Sequence, residues 1–526
     1  RNKVGIYTLF FKSADDILTL TICEPAMGSA AFLNEAINQL AEAYISRKEQ
    51  ETGEIISYEK RFNELQKVKM YIADRNVYGI DLNPVAVELA EVSLWLNTIY
   101  EGGFVPWFGT QLVNGNSLIG ARRQVYSVAN IQATSKNLRW YEMEPDRVPL
   151  GKKRKKANLN AKTKTTEQAV EQRKKISESQ VYHFLLGDPG MCSYSDKVIK
   201  SLEPDNIKKM VKWNKAFIAP VSDDDVVSLL RLSATIDDLW EAQIKLRKQI
   251  NQKTRDALSI FGHTDDVEDS HTTIRQKDKI YSELYKSEHM RNAGPYARLK
   301  FAMDYWCALW FWPIDKADLL PTRSEFLFDM SLILEGTMSA VNVEAGQTSF
   351  FEATEMEQLS MDIIDTYGTD TVVDIPRLRK ENPRLDLAAR IAEQNKFMHW
   401  ELEFADLFAE RGGFDLIIGN PPWIKMTWNE QSVLSDKHPM FAVKKLTAAE
   451  TSRHRTDALK NRETYALYFE EFESMSGTQS FLNAGQNYYE LKGQQTNLFK
   501  CFLPQAWRYC GSQGVSAFVH PDGVFD

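Results

Sequence analysis

The feature that most restricts the fold is a strand running through a tight turn into a helix, written repeatedly in the first 120 residues. Residues 17–23, ILTLTIC, read as a buried strand, and the turn EPAMGSA follows. Over 31–48, Phe32, Leu33, Ala36, Ile37, Leu40 and Tyr44 fall on one helical face. A polar stretch with Gly53 ends this helix, and a second amphipathic helix covers roughly 57–73. NVYGIDLNP (76–84) is a short strand ending in Asp81, with Asn83 as N-cap and Pro84 at the first helical position. The helix 84–99 is apolar at Val85, Leu89, Val92 and Leu96, and TQLVNGNSLIG (110–120) offers a third strand ending in a turn. This alternation predicts an α/β fold with a parallel, doubly wound sheet.

The pattern then changes. Residues 121–400 read as a mostly helical insertion, with Leu229, Leu232, Ile236, Leu239, Ile244 and Ile250 marking a long helix over 224–256. The stretch 151–179 has almost no large apolar residues and is expected to be solvated or mobile. The aromatic run FAMDYWCALWFWPID (301–315) is expected to be core of the insertion. The sheet resumes at 414–418, and a helix over 493–510 and a strand over 514–521 follow. The expected organisation is therefore a first half-domain at 1–120, the insertion at 121–400 and a second half-domain at 401–526. A chain of 526 residues exceeds one ordinary domain. No apolar run approaches the roughly 20 residues that span a bilayer. The five cysteines are scattered without a CxxC pair, which argues against a disulfide framework or zinc site and fits a reducing cytoplasm. With a net charge of −8, binding to nucleic acid requires positive charge concentrated locally.

Three strand ends offer polar groups to one crevice. The turn Glu24-Pro25-Ala26-Met27-Gly28-Ser29 brings backbone amides and a glycine to a helix N-terminus, a geometry suited to a nucleoside or nucleotide. It is neither a Walker A loop nor GxGxxG, and it is also compatible with a plain strand–helix turn. Asp81 can accept hydrogen bonds from two ribose hydroxyls or can serve the dipole of the following helix. Asn116 can read an adenine edge or can belong to a simple Asn-Gly turn. Taken together, the three favour a nucleoside site.

A fourth strand end is chemically different. FDLIIGNPPWIK (414–425) stops a buried run on Gly419 and delivers Asn420, Pro421, Pro422 and Trp423. The Asn420 carboxamide oxygen and the Pro421 carbonyl are acceptors held by stiff prolines. An exocyclic amino group has two hydrogens to give and a lone pair delocalised into its ring. Fixed acceptors favour pyramidal geometry at that nitrogen as a methyl group arrives. Trp423 offers a flat surface for a base rotated out of its duplex.

CEPAMGSAAF, YGIDLNPVAVELA, VNGNSL and FDLIIGNPPW together resemble the ordered motifs of S-adenosylmethionine-dependent DNA adenine-N6 methyltransferases, in particular the large modification enzymes of restriction and phage-defence systems of the BREX and DISARM kind. The resemblance covers roughly 17–120 and 400–526. It implies a Rossmann-like methyltransferase sheet and S-adenosylmethionine as donor, with Glu24 to Gly28 lining the donor's methionine end. It further implies Asp81 and Leu82 at the ribose, Asn116 by the adenine, and Asn420 to Trp423 as the catalytic turn. Double-stranded DNA is the implied substrate, other defence-system proteins are possible partners, and no membrane is involved. GIYTLF (5–10) begins like the family's Gly-x-Tyr-Tyr-Thr-Pro segment but lacks the proline, which leaves Tyr7 and Thr8 as candidate donor contacts. The family has a further glycine where Ala30 stands. No target-recognition domain is legible, and the chain is expected to stop short of one.

Alternatives stay open. Cytosine-N4, RNA-adenine and protein-glutamine methyltransferases use a similar turn, whereas cytosine-C5 chemistry needs a cysteine after a proline, and none is present. A methyltransferase-like subunit that senses DNA or donor without turnover is a different class of reading. The basic run 152–156 is either a phosphate-binding tract or a solvated loop, and His520 is expected to be structural.

Overall fold

The computed structural model describes residues 13–135, 139–152, 154–156, 166–263, 273–285, 287–338, 371–444 and 446–522. Tyr7, Thr8 and Lys153 lie outside the described residues. Strand β1 is Ile22–Glu24, and helices α1 (Ala31–Thr52) and α2 (Tyr58–Asn76) lead to β2 (Val77–Asp81). Helix α3 (Pro84–Thr98) connects to β3 (Leu112–Asn114). A small antiparallel sheet follows, with β4 (Gln124–Ser127) between β5 (Asp146–Arg147) and β6 (Gln180–Tyr182). The long helix α4 (Asp223–Thr254), α5 (Pro295–Ala308) and α6 (Pro383–Asn395) precede β7 (Phe414–Gly419). Helix α7 (Leu498–Tyr509) runs into β8 (Cys510–Phe518).

The main sheet has the order β8-β7-β1-β2-β3, and all its pairs are parallel. The order reverses at β1, because β2 and β3 extend to one side of it and β7 and β8 to the other. Alternation along each strand sorts side chains to two faces. Ile22, Val77 and Leu112 join one core with Leu33, Ile37, Val68, Ile72 and Leu94 from α1, α2 and α3. Cys23, Ile80, Phe414 and Ile417 join another core. That second core also contains Trp306, Trp310 and Trp312 and the α4 residues Leu229, Leu232 and Ile236. The aromatic run is thus core, and its core is continuous with one face of the sheet.

Local chemistry accounts for the helix ends. Gly53 closes α1 at φ 73°, donating its amide to Glu49 O. Asn83 caps α3 by accepting from the Val85 amide, with Pro84 in the first turn. Several expectations need correction. The run 17–23 is not one strand: Asp15–Thr19 form a 3₁₀ turn that buries Ile17 and Leu18, and pairing begins at Ile22. A short buried apolar run suits either state, and Asp15 and Asp16 favour the helical first turn. The basic run is no simple solvated loop. Arg154 is 5% exposed, with its Nε 2.9 Å from Asp237 Oδ2, and Lys156 Nζ lies 2.9 Å from the same oxygen. The stretch expected to be solvated also contains a helix, Thr166–Glu178. Among the described residues no helix is long and apolar enough to cross a membrane. All five cysteines are free.

The joint between sheet and insertion is close. A Cβ added at Gly120 would stand 1.8 Å from the Met398 carbonyl oxygen. Gly120→Ala is expected to destabilise the chain by at least about 1–3 kcal/mol, since backbone must move. The measurement is a fall in the urea midpoint relative to wild type.

Candidate active site

In a parallel sheet whose order reverses, the crevice outside the carboxyl ends of the strands at the reversal takes ligands. Here the reversal separates β1 from β7, and the strand ends there are Glu24 and Gly419. A Cβ built on Gly419 would lie 3.5 Å from Glu24 Cγ and 3.9 Å from its Oε1. The turn after β1 and the Asn420 turn therefore share one rim.

The β1–α1 turn is held to β2. Met27 N donates to Ile80 O (3.1 Å), and Gly28 N donates to Asp81 Oδ2 (2.9 Å). The other carboxylate oxygen of Asp81 accepts from Asn83 N (2.8 Å). Each oxygen keeps acceptor capacity beyond these bonds, which two ribose hydroxyls can use. Gly28 sits at φ 52° and Ala30 at φ 62°, both left-handed. Ala30 thus occupies a conformation in which a glycine would be at ease, at a strain of about 1–2 kcal/mol. Glu24, Pro25, Met27 and Ala30 are buried, while Ala26 and Gly28 are half-buried and Ser29 is exposed.

Glu24 does work that a cap residue normally does. Ala30 offers no side-chain cap to α1, and Glu24 Oε2 instead accepts from Leu33 N (3.2 Å). Burial pushes the Glu24 carboxyl up to about 8, the Leu33 amide opposes this, and the neighbouring Asp81 charge adds to the rise.

The β2–β3 rim is tied by Asn114. Its Nδ2 donates to Asp81 O (2.9 Å) and Leu82 O (3.0 Å), and Lys396 Nζ donates to its Oδ1 (2.6 Å). Asn116 lies two residues beyond the strand. Its amide donates to Lys396 O (2.7 Å), its Oδ1 accepts from Leu118 N (3.2 Å), and it is half-buried. Leu82 is 53% exposed at the same rim. Asn114, Lys396 and Gly79 were not singled out by the sequence. A Cβ on Gly79 would reach 2.2 Å from Met27 Sδ, so a glycine inside β2 was the available signal for a close loop. Lys396, left-handed at φ 50°, carries no such signal.

At the other side, Val519 N donates to Gly419 O (3.0 Å) and Trp423 Nε1 donates to Val519 O (3.3 Å). The indole is anchored at one edge and remains 53% exposed. Asn420 is exposed, Pro421 buried and Pro422 half-buried. Beyond the turn, Leu498 N donates to Ile424 O and Met426 N to Thr496 O, which clamps the segment leaving it. His520 stacks on Phe499 (centroids 6.1 Å apart, planes 9° apart), a packing position. Among the described residues no cluster of ligating side chains suits a metal ion.

The pH dependence of Glu24 follows from linkage. Its folded value of about 8 lies above the ordinary glutamate value of 4.5, so the folded chain holds a proton that the unfolded chain releases between them. That stabilisation is full below about pH 4.5 and is lost as pH rises through about 8. Glu24→Gln cannot ionise. Between pH 5 and pH 8 its unfolding free energy is expected to improve relative to wild type, as read from urea titrations at both pH values.

Comparison with known proteins bears on part of the chain. Residues 347–526 match the family described as Eco57I restriction-modification methylase. A protein of Methanocaldococcus jannaschii described as "Putative type II restriction enzyme and methyltransferase" is 31% identical over 90 residues. Those residues are 16% of this chain and 6% of that protein's length. No solved structure matches the chain. The C-terminal part of the chain is thus similar to restriction-modification methylases.

Proposed function

We propose that the chain methylates the N6 amino group of an adenine turned out of double-stranded DNA, with S-adenosylmethionine as donor, in a restriction or phage-defence setting. The observation that carries the reading is the meeting of Glu24 and Gly419 at the reversal of the sheet. A donor held by the Glu24–Gly28 turn, Asp81, Leu82 and the Asn116 rim then adjoins a base held by the Asn420–Trp423 turn. The fit to the donor rests on Asp81, whose two oxygens are already oriented by the Gly28 and Asn83 amides. When bound, S-adenosylmethionine supplies a methyl group activated by its own sulfonium charge.

The chain's residues do the rest by positioning. The Asn420 carboxamide and the Pro421 carbonyl accept the two amino hydrogens, which aims the nitrogen lone pair out of the base plane. Held by the Glu24–Gly28 turn and Asp81, the donor would supply its methyl group to that nitrogen and be left as a neutral thioether, and the surplus amino proton would pass to water. Trp423 stacks on the base, a contact worth about 1–3 kcal/mol. Lys425, Lys437, Lys444, Arg453 and Lys460 are exposed on the segment that follows, which supplies local positive charge on a chain of net −8.

The test is transfer of labelled methyl to DNA, followed by separation of the nucleosides. Label is expected in N6-methyladenine, and Asn420→Ala is expected to lower the rate by about 10²–10³ while the donor still binds. Label in N4-methylcytosine would replace adenine as the target. Wild type that binds both donor and DNA yet transfers nothing would favour the sensing reading and overturn this one.

A further inference from the structure

Lys396 follows the last turn of α6 and stands in the left-handed region, at φ 50° and ψ 47°. Among the described residues Ala30, Cys192 and Lys396 are the non-glycine residues with positive φ, and two of these three border the candidate site. A glycine closes a helix in this conformation without strain. A lysine strains the same turn and adds a side chain that a glycine lacks.

That side chain crosses to the rim of the sheet. The Lys396 Nζ donates to Asn114 Oδ1 at 2.6 Å, and among the described residues the half-buried ammonium pairs with no carboxylate. The carboxamide it meets is itself a bridge, because Asn114 Nδ2 donates to both Asp81 O and Leu82 O. An amide whose oxygen accepts from a cation cannot turn over, since its NH₂ group would then face the ammonium. Lys396 thus fixes which end of Asn114 addresses the Asp81–Leu82 peptide. Its backbone serves the other side of the same rim. Lys396 O accepts from Asn116 N at 2.7 Å, and Phe397 pairs alongside Asn116. One residue therefore holds Asn114 by its side chain and Asn116 by its main chain.

We propose that Lys396 is a positioning residue for the nucleoside end of the methyl donor. It acts through Asn114 on the peptide between Asp81 and Leu82 and touches no reacting atom. The inference rests on the donor site proposed for Asp81, Leu82 and Asn116, and it assigns part of the donor's affinity to a residue almost 300 positions further along the chain.

Capping a helix and positioning a donor ask different things of the side chain. Lys396→Gly suits the left-handed backbone and removes the ammonium, so it separates the two. The test is methyl transfer to DNA by the full chain at varied donor concentration, with calorimetric Kd values for S-adenosylmethionine and S-adenosylhomocysteine. Lys396→Gly is expected to raise the donor KM and both Kd values about tenfold, the size of one charge-assisted hydrogen bond. The kcat and the KM for DNA are expected to stay as in wild type, and the urea midpoint to stay level or rise. The two ligands should weaken by the same factor, because they share the adenosine group and differ in the sulfonium. Asn114→Ala is expected to match Lys396→Gly, the double variant to lose no more than either, and Lys396→Arg to recover most of the affinity. Lys396→Gly that binds both ligands as tightly as wild type would overturn the proposal and leave a helix cap. So would a weaker affinity accompanied by a lower urea midpoint, or losses that add in the double variant. Wild type that binds neither ligand would overturn the donor site itself, and this inference with it.

Discussion

The hydrogen bond from the Gly28 amide to the Asp81 carboxylate is the contact on which the candidate site depends. Parallel strands bring their carboxyl ends to one edge, but the loops leaving that edge are not fixed by the ladder itself. Asp81 fixes two of them at once, taking Gly28 N on one oxygen and Asn83 N on the other. Its own carbonyl accepts from Asn114 Nδ2 and from Gly115 N, and Asn114 is in turn held by Lys396. A line of bonds therefore runs from the turn after β1 across β2 and β3 to Lys396, far along the chain. A charged group in the middle of such a line orients amide dipoles more strongly than a neutral one would.

Much of this edge was legible because its residues have local reasons to be where they are. Asn83 with Pro84, Gly53 after a polar turn, and two prolines after a buried strand each restrict the backbone within a few residues. What was not legible depends on contacts far apart in sequence. Whether Ile17 and Leu18 enter a strand or a turn depends on the register of Ile22 with Val77 and Leu416. Asn116 was read as the strand end, whereas the paired residue is Asn114, since pairing stops where residues 396–397 come alongside. Arg154 looked like part of a surface tract, and only the buried carboxylate of Asp237 on α4 reveals its place.

The helices of residues 121–400 are bound to the sheet by polar groups as well as by core. Ala121 N donates to His399 Nδ1 (3.0 Å), and His399 Nε2 lies 3.1 Å from Asp304 Oδ1, which also meets Lys300 Nζ at 2.6 Å. Burial holds the imidazole below its usual range, and an Nδ1 that accepts an amide leaves Nε2 as the donor to Asp304. Trp400 Nε1 and Gln505 Nε2 both donate to Ser117 O (2.8 Å each). The loop after β3 is thus gripped by α5, by the residues ahead of β7 and by α7. This grip explains how the helix that ends ahead of Lys396 can join the sheet without loosening the rim that Lys396 serves.

Helix α3 shows where hydrophobic patterning stops being informative. Its apolar residues fall on nearly every side, so periodicity alone would nominate Val85, Leu89, Val92 and Leu96 as readily as Ala90 and Leu94 for the core. The sheet takes the face with the smaller residues, because α3 lies close over β2 and β3 and beside α2, where Ala90 and Thr98 fit. The larger side chains are left outside. A helix that is apolar all round is ordinarily buried all round. One face of α3 is buried by its own fold, and its depth there is set by how close β2 and β3 come, which admits Ala90 and Thr98 beside Leu94 and no larger row of side chains.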